Sequence, residues 1–317
     1  MHTSVIIPCY NAEKYIKECV LSVTGQEFSD FELICVDDAS TDSTPEILAG
    51  LAAGDSRISV IRKECNSGSA RPTIDEGLKA ASGEFVCIIG NDDIIAPDFL
   101  RKLADRQKET GADMTLGRMC MFYDDAPDMP APAVPEEGFD FSAVPDGKQA
   151  VMMTVGGWRI GANGALVRRS LILSQRSRTP VLNHMNADEF DTRELLLMSG
   201  RVAFTDAAYR YRSHSGSITK ISSRRHEALI TDSMIAALFR EHFGRYSRET
   251  RLVTGENVMN IRSVWKQEEN HNASVLKVIS DCESALSPLD IMLCKAPFGV
   301  RLSHIINLRR KLWKKTR

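Results

Sequence analysis

Two carboxylates, Asp92 and Asp93, stand side by side directly after the apolar run Val86-Cys-Ile-Ile89 and the turn residues Gly90-Asn91. A run of this kind reads as a strand covered on both faces, so the pair lies where that strand ends. Two ionised carboxylates repel each other in a cleft, and a divalent cation or a hydrogen-bonded ligand removes that cost. Oxygen-rich sites suit Mg2+ or Mn2+, which commonly bridge a carboxylate to nucleotide phosphates. The plainer use of the same residues is an acidic strand-to-helix turn, with one Asp capping the helix near Pro97. Just ahead of the strand, Asn66-Ser-Gly68-Ser-Ala-Arg71 forms a glycine-bearing loop and helix start. The Arg71 guanidinium suits a phosphate or nucleotide oxygen, or else an exposed helix face.

Further polar groups recur at predicted strand ends and helix starts. Phe31 to Asp38 is an apolar strand ending in Asp37 and Asp38, continued by Ala-Ser-Thr-Asp42. Asp38 can accept hydrogen bonds from a base or ribose, and Asp37 can instead cap the following turn. Asp188 and Glu189 open a helical segment, where an anion is stabilised by the backbone dipole; a simple helix cap is the alternative there.

The elements that must position these groups alternate. Thr3 to Asn11 opens as a strand with a polar turn, and Ile16, Cys19, Val20 and Val23 then share one helical face. Ser43-Thr-Pro-Glu46 reads as a helix start, with Ser43 as cap and Glu46 three residues on. Ile58–Ile61 is a strand, Arg71–Ala81 a helix with Ile74, Leu78 and Ala81 inward, and Pro97 to about Thr110 a helix. Strands follow at Asp113–Leu116, Gly161–Val167 and Arg201–Phe204, with a helix at Asp188–Ser199. The alternation predicts an α/β fold with a mainly parallel sheet flanked by helices. Ligands on such sheets bind at the carboxyl ends of strands, where Pro8–Asn11, Asp37–Asp42 and Asn91–Asp93 all fall. Residues 124–148, rich in proline, break the pattern and read as a surface loop or a lid. Beyond about residue 222 the period is helical, giving an expected division into 1–221 and an appended helical region, 222–317.

Val5-Ile-Ile-Pro-Cys-Tyr-Asn11, Val36-Asp-Asp-Ala-Ser-Thr-Asp42, Asn66-Ser-Gly-Ser-Ala-Arg71, Ala81-Ser-Gly-Glu-Phe85, Asn91-Asp-Asp93, Tyr209-Arg-Tyr-Arg-Ser-His214 and Ser217-Ile-Thr219 stand in an order and spacing that resembles the family 2 glycosyltransferases. The resemblance covers roughly residues 3 to 220 and implies the nucleotide-sugar-binding fold called GT-A. It implies that Pro8, Tyr10, Asn11, Asp37 and Asp38 line a nucleoside site, with Asn66, Gly68, Arg71 and Asn91 around the donor. It implies that Asp93 with Asp92 holds Mn2+ or Mg2+, and that His214 ligates the metal or touches the diphosphate; imidazole is compatible with Mn2+. Arg212 would add positive charge for the leaving diphosphate. Asp188 matches the Asp of the family's Glu-Asp motif and would be the base, with Glu189 as runner-up one residue on. The chain departs from the family at Gly90, where the first Asp of Asp-x-Asp-Asp is lost, at Pro72 and at Ala187. The implied reaction is inverting transfer of a sugar from a nucleotide-sugar donor, UDP-linked by preference, to a hydroxyl of a glycan or lipid-linked acceptor in surface polysaccharide synthesis.

The composition narrows the context. The 317 residues are 43% hydrophobic and 26% charged with a net charge of −2, ordinary for a soluble enzyme and without bias toward nucleic acid. The eight cysteines show no metal-ligand spacing and read as small core residues of a reducing compartment. Neither a signal peptide nor a membrane-spanning run is evident, so the expected location is the cytoplasm. Residues 301–317 hold seven Lys or Arg and no acid, interleaved with apolar residues and Trp313. This tail reads either as an interfacial helix on the inner membrane face or as a helix packed on its own domain. Two rivals remain. A sugar nucleotidyltransferase wants a basic glycine-rich signature after the first strand, which Pro8-Cys-Tyr-Asn11 is not. A non-catalytic nucleotide-sugar-binding or scaffold protein is compatible with the missing first Asp. No Gly-x-Gly-x-x-Gly supports a nicotinamide enzyme. Oligomeric state is left open.

Overall fold

A computed structural model describes residues 2–124, 132–155, 158–179, 186–214, 225–244 and 247–265. β1 (Thr3–Cys9), β2 (Phe31–Asp37), β3 (Ile58–Arg62) and β4 (Phe85–Ile88) form the parallel half of a sheet, with β1 between β2 and β4. Val5 pairs with Leu33 on one side and Cys87 on the other, and Val5, Ile6 and Ile7 are fully buried. Helices on both faces of these strands explain why they read as unbroken apolar runs.

The helix α1 (Ile16–Thr24) buries Ile16, Cys19, Val20 and Val23, the four residues its spacing marks. The next, α2 (Thr44–Gly54), starts at Ser43 and Pro45, but the Ser43 side chain makes no capping bond. Asp42 Oδ1 instead accepts the Thr44 N–H at 3.0 Å. In α3 (Ala70–Ala80) the inward face is Arg71, Thr73, Gly77 and Leu78, with Ile74 only half-buried. The cause is a close approach: a Cβ on Gly77 would stand 2.6 Å from Ile6 Cγ2. The helix therefore beds Gly77 on β1 and turns Ile74 aside.

Beyond β4 the sheet becomes mixed. β5 (Ile94–Ile95), α4 (Phe99–Thr110), β6 (Met114–Tyr123), β7 (Ala133–Val134), α5 (Gly147–Met152), β8 (Leu166–Arg168), α6 (Arg169–Arg178), α7 (Ala187–Met198) and β9 (Val202–Ser213) complete it. The strand order is β3-β2-β1-β4-β8-β6-β9-β5, with β7 on β6. β8 runs antiparallel to β4 and β6, while β6 and β9 are parallel. Parallel pairing thus holds through β4 but does not extend across the whole sheet.

The expected strand at 161–167 shrinks to Leu166–Arg168, because Gly164 adopts φ +66 against the Tyr209 ring. β6 and β9 run much further than their apolar cores suggest and carry Asp124 and His214 to the same end of the sheet as Asp92. The proline-rich excursion contains β7 and α5, the latter opened by a capping box between Asp146 and Gln149; residues 125–131 lie outside the described residues.

The chain divides into two compact units. One comprises Met1–Met153, Trp158–Asn183 and Glu194–Ser215; the other comprises Thr154–Gly157, His184–Arg193 and Gly216–Arg317. In the second, α8 (Arg225–Phe243) and α9 (Arg248–Trp265) pack on each other, Thr250 Oγ1 donating to the Phe239 carbonyl at 3.0 Å, and Leu229, Ile235, Phe239 and Val253 are buried. Among the described residues no helix is long and apolar enough to cross a membrane. The basic tail, 301–317, lies outside them. Cys9, Cys19, Cys35 and Cys87 are buried core residues, and burial pushes the Cys35 and Cys87 thiols up to about 12.

Candidate active site

The turns after β1 and β2 are locked to each other by polar side chains. The Asn11 N–H donates to Ser40 Oγ, and the Thr41 N–H returns to Asn11 Oδ1, each at 2.9 Å. The Ala12 N–H donates to Thr44 Oγ1 at 2.8 Å, the Glu13 N–H to Asp42 Oδ2 at 3.0 Å, and the Ser43 N–H to Glu13 Oε2 at 3.0 Å. Much of the Tyr10-Asn11 and Ala39-Ser-Thr-Asp42 signature therefore satisfies backbone donors that the two turns leave over. Two residues in this lock adopt left-handed backbone, Asn11 at φ 47 and Ala39 at φ 59. Tyr10 is left projecting, 47% exposed beside the lock, and Pro8 lies in β1 with its carbonyl accepting from Asn91 Nδ2 at 3.1 Å.

Asp37 and Asp38 are both buried, and each faces a cation and a backbone donor of the neighbouring loop. Asp37 accepts from the Ser40 N–H at 3.2 Å and faces Arg62 Nε at 3.4 Å. Asp38 lies 2.7 Å from Lys63 Nζ and accepts both the N–H and the hydroxyl of Ser67, at 2.9 and 2.8 Å. Burial alone would raise its pKa, but the Lys63 ammonium and the Ser67 donors outweigh that and hold it below the usual carboxylate range. In the structure Asp38 anchors the 65–68 loop, where Asn66 Oδ1 accepts the Gly68 N–H and Gly68 takes φ 75. Arg71 differs from both of its expected forms. It is neither an exposed helix residue nor open toward a phosphate, being 5% exposed with Nε 3.9 Å from Asp75, which also receives Arg176 at 2.9 Å.

At the end of β4 the paired carboxylates separate into different environments. Asp93 points into the protein, 3% exposed, where it accepts the Tyr209 hydroxyl on Oδ2 and the Arg212 N–H on Oδ1 at 2.8 Å. The same hydroxyl accepts the Gly90 N–H at 3.0 Å. Burial, then the neighbouring Asp92 charge, pushes Asp93 up to about 7, against the two hydrogen bonds it accepts. The expectation that Asp93 leads metal binding is corrected on this geometry, because both its oxygens are occupied away from the cleft. Asp92 stays partly open, 31% exposed, with Oδ2 3.1 Å from His214 Nε2.

Arg212 is corrected as well. In the structure its Nε, Nη1 and Nη2 each make a bond within the protein, to Asp92 O at 2.6 Å, Asp124 at 2.5 Å and Glu18 at 2.5 Å, so the charge expected to face a diphosphate is already paired with two carboxylates. Its guanidinium lies between the rings of Tyr15 and Phe122, 4.7 and 4.6 Å from their centroids. Tyr15, Glu18, Lys63, Asp124 and Tyr209 were not marked as site residues by the sequence. Tyr15 and Glu18 look like ordinary residues on the polar side of α1, and Asp124 lies past the apolar part of β6.

In the second unit, Asp188 and Glu189 occupy the first turn of α7. Glu189 is held by Arg193 at 2.9 Å, and Arg193 is itself bonded to Thr154 Oγ1 at 3.0 Å. Asp188 is exposed, with the backbone N–H groups of Asp188 and Glu189 against it. Surrounding protein, then the charges of Glu189 and Asp191, pushes its pKa upward against those backbone hydrogen bonds.

Asp92 and His214 have the chemistry of a hard divalent cation site. Their Oδ2 and Nε2 lie at hydrogen-bond distance, 3.1 Å, and a carboxylate and an imidazole are both donors that Mn2+ would accept. Among the described residues no group of three such side chains converges. A two-ligand protein site suits an ion completed by substrate phosphates and water.

Residues 4–166 match the model of glycosyl transferase family 2. Glycosyltransferase GlyG of Streptococcus pneumoniae is 31% identical over 223 residues, 68% of this chain and 72% of that protein. The poly(ribitol-phosphate) β-glucosyltransferase of Bacillus spizizenii is 36% identical over 121 residues, 38% of this chain and only 19% of that longer protein. In fold, the chain is similar to S. aureus TarS 1–349, crystallised with UDP-GlcNAc, at TM-score 0.70 and 22% identity over 92% of this chain and 83% of that one. The parallel half-sheet with its flanking helices and paired turns is the GT-A arrangement, and the chain belongs to glycosyl transferase family 2.

Proposed function

We propose that this protein is an inverting, metal-dependent hexosyltransferase that moves a sugar from a UDP-linked donor to a hydroxyl of a glycan or lipid-linked acceptor in surface polysaccharide synthesis. The observation that carries this reading is the accessible Asp92–His214 pair, set at the end of β4 in the same unit as the Tyr10–Asn11 turn. Exposed Tyr10 offers a flat face to a base, and Asp92 with His214 would hold Mn2+ or Mg2+. When bound, that ion neutralises the diphosphate and makes it a better leaving group. Asp188 takes the proton from the acceptor hydroxyl as that oxygen attacks the anomeric carbon, and a single displacement inverts the configuration. Glu189, occupied by Arg193, is the poorer base. UDP-GlcNAc bound to TarS supports the uridine preference, and a ribitol-phosphate polymer as acceptor of the Bacillus relative supports a surface polymer here.

The missing first Asp of the acidic motif also suits a sugar-nucleotide-binding protein without transfer activity. One experiment separates the readings: thermal shift and turnover with UDP-, GDP-, CMP- and dTDP-sugars, with and without Mn2+. Selective stabilisation by a UDP-sugar, with UDP released only when metal is present, is the expected result. Stabilisation without any UDP release, in the presence of surface glycan acceptors, would favour the binding protein. Pyrophosphate release from a nucleoside triphosphate and a sugar phosphate would favour the nucleotidyltransferase.

A further inference from the structure

The residue that touches both halves of the Asp92–His214 pair's support is Tyr15, which no motif reading marks. Its ring centroid lies 4.8 Å from that of His214, tilted by 46°. The same ring carries the Arg212 guanidinium at 4.7 Å. Arg212 in turn donates from Nε to the carbonyl of Asp92 at 2.6 Å and from its backbone N–H to Asp93 at 2.8 Å. One aromatic ring thus backs the imidazole directly and the backbone that carries the Asp92 carboxylate through a single intermediary. The hydroxyl end is also tied down: Tyr15 Oη receives Lys14 Nζ at 2.6 Å and bonds to Asp124, which receives Arg212 Nη1.

We propose that Tyr15 is a positioning residue for the Asp92–His214 pair, its ring fixing the imidazole face and the Arg212 guanidinium that grips the Asp92 backbone. The physical basis is the cost of ordering. Imidazole and carboxylate rotors hold a cation well only when they are already aimed, and partners behind the ligands supply that aim. A cation over a tyrosine face adds attraction that a leucine cannot replace. The ring is the operative part, while the hydroxyl only tethers the outer edge through Lys14 and Asp124. This inference rests on the metal-binding reading of Asp92 and His214 given above.

The test is Mn2+ binding to the full chain, titrated by the electron paramagnetic resonance of free Mn2+ in the presence of UDP, for wild type, Tyr15→Leu and Tyr15→Phe. Tyr15→Leu should weaken Mn2+ binding by about tenfold or more, the usual scale for removing a partner behind a metal ligand. Tyr15→Phe, which keeps the ring, should stay within about threefold of wild type. UDP affinity in EDTA should be the same in all three, whereas a merely structural role would lower melting temperature and UDP affinity together. Equal Mn2+ affinity in wild type and Tyr15→Leu overturns the proposal while leaving the metal reading intact. A loss of about tenfold or more in Tyr15→Phe also overturns it, since the hydroxyl would then be the operative group; this arm stands even where the leucine variant does not fold. A wild type that binds no Mn2+ with UDP present overturns the metal reading itself, and with it this proposal.

Discussion

His214 Nε2 and Asp92 Oδ2 face each other at 3.1 Å although they are separated by more than a hundred residues of chain. The contact exists because β9 ends beside the turn that follows β4. It joins an imidazole and a carboxylate that are both only partly covered, 15% and 31% exposed.

Removing either partner should therefore disable the reaction without unfolding the protein. Asp92→Ala and His214→Ala are each expected to lower metal-dependent UDP release by about a hundredfold, with melting temperatures near that of wild type. Release at the wild-type rate in either variant would remove that residue from the site.

Asp93 should behave in the opposite way, as a stability group. Burial holds its pKa at about 7 in the folded state, against an ordinary value of 3.8. A carboxyl with a raised folded pKa binds its proton more tightly folded than unfolded, so its contribution is fullest below about pH 4 and declines as pH rises toward 7. At about 1.4 kcal/mol per unit, the decline is of the order of 4 kcal/mol. Asp93→Asn keeps the shape and cannot ionise. Urea unfolding in EDTA from pH 4 to 8 should show wild type losing stability relative to Asp93→Asn through that window, then running parallel above it. Curves parallel throughout would mean that Asp93 ionises freely despite its burial.

Asp188 and Glu189 are separable by their partners. Asp188→Asn should keep UDP-sugar affinity and lower transfer by about a hundredfold or more. Glu189→Gln, which trades the ion pair with Arg193 for a neutral contact, should cost several-fold at most. Initial rates with saturating donor decide it, and the reverse pattern would move the base to Glu189.

Ala39 occupies left-handed backbone at φ 59 within the Asp37–Asp42 turn. A non-glycine residue there costs roughly 1–2 kcal/mol, so Ala39→Gly should raise unfolding stability by about 1 kcal/mol after the added freedom of the unfolded chain is counted. A melting temperature below that of wild type would show that the Ala39 methyl packs usefully.

The basic tail gives a last expectation. Each cation at an anionic surface is worth roughly 1 kcal/mol within a Debye length, so the full chain should co-sediment with anionic vesicles at low salt. A chain ending at Ser303 should not. Equal co-sedimentation would leave 301–317 as a packing or solvated helix.

What the sequence determined by itself is what depends on local pattern. The α1 face of Ile16, Cys19, Val20 and Val23, the parallel strands around β1, and the gathering of Asn11, Asp38 and Asp92 at strand ends all follow from hydrophobic period and strand–helix alternation. The family followed from motifs in order, because turns that must satisfy the same backbone donors keep the same short polar residues.

Tertiary structure decided which polar atoms remain free, and no periodicity encodes that. Asp92 and Asp93 are adjacent and chemically identical, yet one faces His214 and the other is claimed by Tyr209 and Arg212. Arg212 is paired with Glu18, Asp124 and the Asp92 carbonyl, which come from three separate stretches of chain. Arg71 was turned inward by the close bedding of Gly77 on Ile6. Hydrogen-bond capacity is finite, and partners distant in sequence fill it only once the chain has folded.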